Sequence, residues 1–210
     1  MKFNRICYIL ISLNLIVPSL ILGSEIPDFT SEQTYLGPPP YGMNAQYAWQ
    51  FQGGRGDGVK IVLIEGSGGN HDHRDLSGKV SGAYSQFGHH ATSTAGIMVA
   101  QDNGFGITGL ASNAQVHIIA AGQDDDLTSE IYAAKTWLLS NGGGPGDIIV
   151  IEIQVSGNHN NTPYNEMPAE FLPCDYPSNV YNRDAIKTAV DEGFVVIEVA
   201  GNGDTFLDPL

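Results

Sequence analysis

Four continuous apolar runs, separated by polar and helical stretches, dominate the hydrophobic pattern of this chain. Runs of this kind are typical of strands that are buried on both faces of a parallel sheet, since a strand with one solvent-exposed face alternates apolar and polar residues. We therefore predict four core strands. They cover residues 59–65, 116–122, 147–155 and 194–201.

Segments with helical periodicity lie between these strands. Residues 44–52 predict a short helix, and residues 127–140 predict a longer one that begins after the acidic run 124–126. Residues 184–192 predict another, closed by Gly193. Strands that alternate with helices indicate the α/β class with a doubly wound, mostly parallel sheet.

The first residues have the pattern of an export signal. Lys2 and Arg5 precede a nearly uncharged apolar run, and small residues follow it. We predict a signal peptide over 1–23, an extended and unpacked lead-in over 24–43, and a folded domain over 44–210. A membrane anchor is the competing interpretation, but the length and interruptions of the run favour a signal. We thus expect a secreted or extracytoplasmic protein with no membrane contact after signal cleavage.

The net charge limits the classes of ligand that the protein can bind, and the cysteine content limits its disulfide pairing. The formal net charge of −14 argues against nucleic acid and anionic membrane surfaces, because both need a basic face. A negative net charge is compatible with cations as ligands. Signal cleavage would remove Cys7, so Cys174 would remain without an internal disulfide partner.

Three segments, in one order, carry a resemblance to a known family. They are GVKIVLIEGSGG at 58–69, GHHATSTAGI at 88–97 and FVVIEVAGNGD at 194–204. They resemble the acid, histidine and oxyanion-asparagine segments of subtilisin-like serine proteases. The resemblance covers roughly residues 44–208. It implies a sheet of the subtilisin type and an activity that hydrolyses peptide bonds in polypeptide substrates.

The resemblance assigns His90 as the general base, because Ala95-Gly96-Ile97 matches the family's Ala-Gly-Ile and fixes the register. The family usually has glycine after this histidine. Ala91 occupies that position here, and we expect its methyl group to press on the substrate or to tilt the imidazole.

Glu65 stands where the family has the aspartate that orients the histidine. Glutamate does the same electrostatic work with a reach about 1.5 Å longer. Asp72 is the alternative candidate for this role. The alternative interpretation of Glu65 is a solvated carboxylate at the end of a strand.

Asn202 matches the family's oxyanion asparagine, whose carboxamide stabilises the tetrahedral intermediate. The alternative is that Asn202-Gly203 only forms a turn.

The family's substrate-pocket strand usually ends in Ser-x-Gly, and this chain has Glu152-Ile153-Gln154 there. These residues are assigned to substrate binding. A negative pocket predicts a preference for basic side chains by charge complementarity.

The resemblance also implies a structural calcium ion. Asp75 and Asn103 occupy the family's ligand positions, with Gln101, Phe105 and Ile107 as carbonyl donors. Oxygen-rich loops of this kind suit calcium.

The run Ala91-Thr92-Ser93-Thr94-Ala95 resembles the family's nucleophile motif, Gly-Thr-Ser-x-Ala, but it follows the first strand, where the histidine helix belongs. Ser67 lacks the glycine that a nucleophile elbow requires two residues earlier. We therefore expect a fragment that lacks the nucleophilic serine and a sheet incomplete at its C-terminal end. The alternative is a catalytically inactive subtilisin-fold protein that binds a peptide or protein partner.

Overall fold

The computed structural model describes residues 26–122, 125–156, 171–175 and 179–202. The predicted signal segment lies outside these ranges. Within them, no helix is long and apolar enough to cross a membrane. The strands are β1 (Lys60–Glu65), β2 (Val80–Gly82), β3 (Gln115–Ala120), β4 (Ile148–Ile151), β5 (Val155–Ser156), β6 (Phe171–Leu172) and β7 (Val195–Glu198). The α-helices are α1 (Ala45–Ala48), α2 (His89–Val99), α3 (Thr128–Ser140) and α4 (Val180–Asp191), and short 3-10 turns cover Thr30–Glu32, Thr34–Leu36 and Arg74–Leu76.

A parallel sheet organises the described part of the chain. Its five strands lie in the order β2-β3-β1-β4-β7, and β5 pairs with β6 in a small antiparallel ribbon. Helix α2 packs on one face of the sheet, and α3 and α4 pack on the other. The predicted α/β class with a doubly wound, mostly parallel sheet is confirmed.

The central strand β1 shows how the two faces are built. Ile61 and Leu63 pack against α2, whereas Val62 and Ile64 pack against α3 and α4. All of these side chains are at most 4% exposed, and burying each contributes about 1.5–3 kcal/mol. Because side chains alternate along a strand, the next residue, Glu65, falls on the α2 face.

Helix α4 and strand β2 differ from the sequence-based predictions. Helix α4 begins at Val180, four residues before the predicted start at Asp184. Strand β2 was not predicted, because its three residues are too few to show a period. It is held by pairing of Val80 and Gly82 with β3.

The segment that follows the predicted signal packs on the domain, and our prediction of an unpacked lead-in is wrong for this part. Leu36 is fully buried. The buried carboxamide of Gln33 accepts a hydrogen bond from Thr108 N–H at 2.8 Å and donates one to Thr108 O at 2.9 Å. A side chain that bonds to both backbone groups of one residue takes the place of a partner strand. The proline-rich composition of this segment does not reveal such a contact.

A half-buried carboxylate joins β7 to the segment after β6. Glu198 accepts hydrogen bonds from Cys174 Sγ at 3.0 Å and from Asp175 N–H at 3.2 Å. Burial raises the pKa of the Cys174 thiol above its usual range, so the thiol stays protonated and donates. Burial likewise raises the pKa of Glu198 from its ordinary 4.5 to about 7.

This shift makes stability depend on pH. Between about pH 4.5 and 7 the folded chain holds a proton on Glu198 that the unfolded chain has lost, so the stabilising contribution of protonation falls as pH rises. We expect Glu198→Gln to remove this slope and to raise the free energy of unfolding relative to wild type above pH 7. Urea unfolding across this range measures it, with exposed Glu32→Gln as the control. A parallel pH profile for wild type and Glu198→Gln would contradict the assignment.

Candidate functional site

Glu65 is a buried carboxylate at the carboxyl end of β1, and only 3% of the residue is exposed. Its Oε2 accepts a hydrogen bond from the N–H of Gly66 at 3.2 Å. Its Oε1 accepts one from the hydroxyl of Thr94 at 3.4 Å. A buried carboxylate needs such donors, because its desolvation is otherwise costly.

His90 supplies the closest partner of this carboxylate. Its Nδ1 lies 2.7 Å from Glu65 Oε1. Since an ionised carboxylate only accepts hydrogen bonds, Nδ1 carries the proton and Nε2 is left for another group. The His90 side chain is 70% exposed and that of Glu65 is 4% exposed. The acid is thus shielded while the imidazole faces solvent.

The start of α2 is fixed by close backbone packing. Gly88, just before the helix, is buried, and a Cβ built on it would lie 1.7 Å from Gly68 O. The Thr92 hydroxyl donates to Gly88 O at 2.6 Å and accepts from Asn70 N–H at 2.9 Å. These contacts set the position of His90, two residues after Gly88.

Ala91 does not obstruct the site. Its side chain is fully buried in the core between α2 and the sheet. The predicted pressure of its methyl group on the substrate is therefore wrong, because the methyl group points into the core and is not among the groups that line the cleft beside His90.

A cleft of about 390 Å³ opens beside the imidazole. The residues that line it are His90, Glu152, Gln154, Val199, Ala200, Gly201 and Asn202. The structure therefore brings Asn202 to the same cleft as His90. It also separates the predicted substrate stretch: Glu152 and Gln154 reach the cleft, while Ile153 is 9% exposed and packs in the core on the opposite face.

Glu152 is a second carboxylate near the imidazole. It is half-buried, and this desolvation, followed by repulsion from Glu65, raises its pKa above the ordinary value. The charge of His90 acts in the opposite direction. Besides His90, Glu152 is the one ionisable side chain that lines the cleft within the described residues.

The remaining candidates for catalysis lie elsewhere. Ser93 and Asp72 line a separate cavity of about 650 Å³ beside α2. Asp72 accepts a hydrogen bond from the Tyr84 hydroxyl at 2.9 Å. Ser67 donates to Gly68 O at 3.3 Å. None of these side chains lines the cleft beside His90.

The predicted calcium loop brings its residues together around Asp75. Ile107 N–H donates to Asp75 Oδ2 at 3.1 Å, and Asn103 Nδ2 lies 3.5 Å from Oδ1. The side-chain oxygen of Asn103 accepts from Phe105 N–H at 3.2 Å, and Gln101 donates its side-chain amide to Ser77 O. In this arrangement the side-chain oxygens of Asp75 and Asn103 face N–H donors.

The described residues also contain no group of three or more His, Cys, Asp or Glu side chains suited to a metal ion. Calcium binding at this loop stays a prediction.

Sequence reasoning missed Thr94 as a partner of Glu65. The signal was present, because Thr94 lies four residues after His90 and residues at this spacing share one face of a helix. It also missed that Gln154 contacts Asn202: the Asn202 N–H donates to Gln154 Oε1 at 2.9 Å. No local pattern signals this contact, since the two residues are far apart in the chain.

Comparison with known proteins shows the family to which the chain belongs. The profile of the Subtilase family of peptidases matches residues 56–208, and the chain belongs to that family. It is 32% identical over 104 residues to the minor extracellular protease Epr of Bacillus subtilis (strain 168), an alignment that covers 47% of this chain and 15% of Epr.

Two solved structures share the fold. The nisin leader peptidase NisP from Lactococcus lactis is 18% identical, with a TM-score of 0.52, and the match covers 81% of this chain and 50% of that chain. MycP1, solved with its N-terminal propeptide removed, is 18% identical, with a TM-score of 0.50 and coverage of 77% and 48%. The chain spans half or less of each of these three relatives.

The packing of Gly88 against Gly68 gives a testable consequence. We expect Gly88→Ala to lower the free energy of unfolding by about 1–3 kcal/mol, because the added methyl group has no space and must displace the start of α2. Urea denaturation measures this. Gly144→Ala is the matched control, since a Cβ there meets nothing within 4 Å. Equal stability of Gly88→Ala and Gly144→Ala would refute the close packing.

Proposed function

We propose that this chain is the part of an exported subtilisin-like serine endopeptidase that supplies the base, the orienting acid and the oxyanion donor. The observation that carries the proposal is the 2.7 Å hydrogen bond between His90 Nδ1 and the buried Glu65 carboxylate. Asn202 lines the same cleft, which gives the pair a donor for developing negative charge.

In this mechanism His90 Nε2 takes the proton of a serine hydroxyl as the hydroxyl attacks the scissile carbonyl carbon. Glu65 holds the imidazole in the Nδ1–H tautomer and stabilises the imidazolium that forms. The carboxamide of Asn202 donates to the oxyanion. The imidazolium then returns the proton to the leaving amine.

The mechanism requires a serine from outside the described residues, because no serine lines the cleft within them. We propose that a longer form of the polypeptide provides it, in keeping with the coverage of at most half of the relatives. Export is proposed from the basic and apolar pattern of residues 1–23 and from the extracellular relative Epr.

Covalent labelling tests the activity. A fluorophosphonate probe should label the natural, full-length gene product at a serine, because only a serine activated by His90 reacts with it. His90→Ala should abolish labelling, and His89→Ala, the exposed neighbour, should leave it intact. Folded natural protein that takes up no probe would instead support an inactive peptide-binding protein.

The role of Glu65 has its own kinetic signature. We expect Glu65→Gln to lower kcat by about 10⁴-fold, as loss of the orienting acid does in the serine-protease triad, because the amide does not hold the required tautomer. Glu65→Asp keeps the charge but shortens the reach, and we expect an intermediate kcat. A kcat of Glu65→Gln within a few-fold of wild type would remove Glu65 from the mechanism.

Glu152 predicts the substrate class. We expect cleavage after Lys or Arg to be favoured over Phe, and Glu152→Gln to reduce this preference in kcat/KM roughly tenfold, about 1.4 kcal/mol. Because the pKa of Glu152 is raised, the preference should be full at alkaline pH and fall on acidification at a higher pH than for an ordinary glutamate. Paired peptides that differ only at the residue before the cleaved bond measure it. A preference that Glu152→Gln leaves unchanged would refute the assignment.

A further inference from the structure

Backbone hydrogen bonding between strands β4 and β7 ends just before the cleft. Their paired register ends at Ile151 and Glu198. One further backbone hydrogen bond follows, from Val199 N–H to Ile151 O at 3.2 Å. Past this point, within the described residues, no backbone hydrogen bond joins the segment that carries Asn202 to the end of β4.

The side chain of Gln154 bridges this gap. Its Oε1 accepts a hydrogen bond from the backbone N–H of Asn202 at 2.9 Å. The backbone between Val199 and Asn202 passes through Gly201 at φ +86°, a conformation that favours glycine. The N–H of Asn202, the residue after this glycine, donates to a side-chain acceptor.

The position of Gln154 follows from the alternation of side chains after β4. Ile151 and Ile153 pack in the core on the α3 and α4 face. Glu152 and Gln154 therefore lie on the α2 face, where the cleft is. Backbone pairing holds this segment as well, since Glu152 N–H donates to Ile64 O of β1 at 3.0 Å. Gln154 thus extends from a fixed strand end.

We propose that Gln154 is a positioning residue that fixes the backbone of Asn202, and through it the oxyanion donor, against the end of β4. The inference rests on the proposed function only for the role of the Asn202 carboxamide. It also assigns the orientation of the Gln154 amide: because an N–H group donates only to an acceptor, the oxygen faces Asn202 and the two N–H donors of Nε2 remain for the cleft.

Amide hydrogen exchange of the isotope-labelled full chain tests the contact without any need for hydrolysis. Gln154→Met keeps the length of the side chain but removes the acceptor, and we expect the Asn202 N–H to exchange roughly 2- to 12-fold faster. Gln154→Glu keeps an acceptor oxygen at the same reach and should retain the wild-type exchange rate. The Glu152 N–H serves as the internal reference and should be unchanged in both variants.

A kinetic readout on the catalytically competent gene product separates positioning from substrate binding. Gln154→Met should lower kcat several-fold with little change in KM, because a displaced oxyanion donor weakens the transition state more than the bound substrate. A higher KM at constant kcat would overturn the proposal in favour of substrate binding by Gln154.

Unchanged Asn202 exchange in Gln154→Met would overturn the proposal, whether or not the protein hydrolyses peptides. If Gln154→Met does not fold, Gln154→Asn replaces it, because the shorter amide does not reach Asn202 and should speed exchange in the same way. Faster exchange in a protein that takes up no fluorophosphonate would support the contact and refute only the hydrolytic function.

Discussion

The hydrogen bond between Glu65 and His90 is the constraint on which the rest of the site depends. It joins the end of the central strand to the first turn of α2 at 2.7 Å. A hydrogen bond to a charged group contributes about 1.5–3 kcal/mol when its geometry is good. The structure protects it by burying the carboxylate and by fixing the start of α2 against the backbone of Gly68.

Both carboxylate oxygens of Glu65 have hydrogen-bond partners. Oε1 faces His90 and Thr94, and Oε2 faces the N–H of Gly66. The longer side chain therefore does not leave a buried oxygen without a donor. Side-chain alternation along parallel strands then gathers Glu65, Glu152 and Gln154 on one face of the sheet, so the site results from the register of the strands.

The apolar pattern was sufficient to predict the α/β class, and the resemblance of two motifs to the subtilisin-like family was sufficient to predict that His90 would lie near Glu65. The pattern could not show that the lead-in packs through Gln33, because that contact replaces a strand partner with a side chain. It could not show that Ala91 faces the core, since a single methyl group fits either environment. The contact of Gln154 with Asn202 joins residues distant in sequence, and only the folded sheet brings them together.

The tautomer of His90 tests the central claim most directly. Long-range ¹⁵N–¹H correlation spectra of the neutral imidazole distinguish a proton on Nδ1 from one on Nε2. If Glu65 orients His90, Nδ1 carries the proton in wild type, and Glu65→Gln loses this preference because its amide both donates and accepts. A wild-type His90 protonated on Nε2, or an equal mixture of tautomers that Glu65→Gln leaves unchanged, would contradict the account.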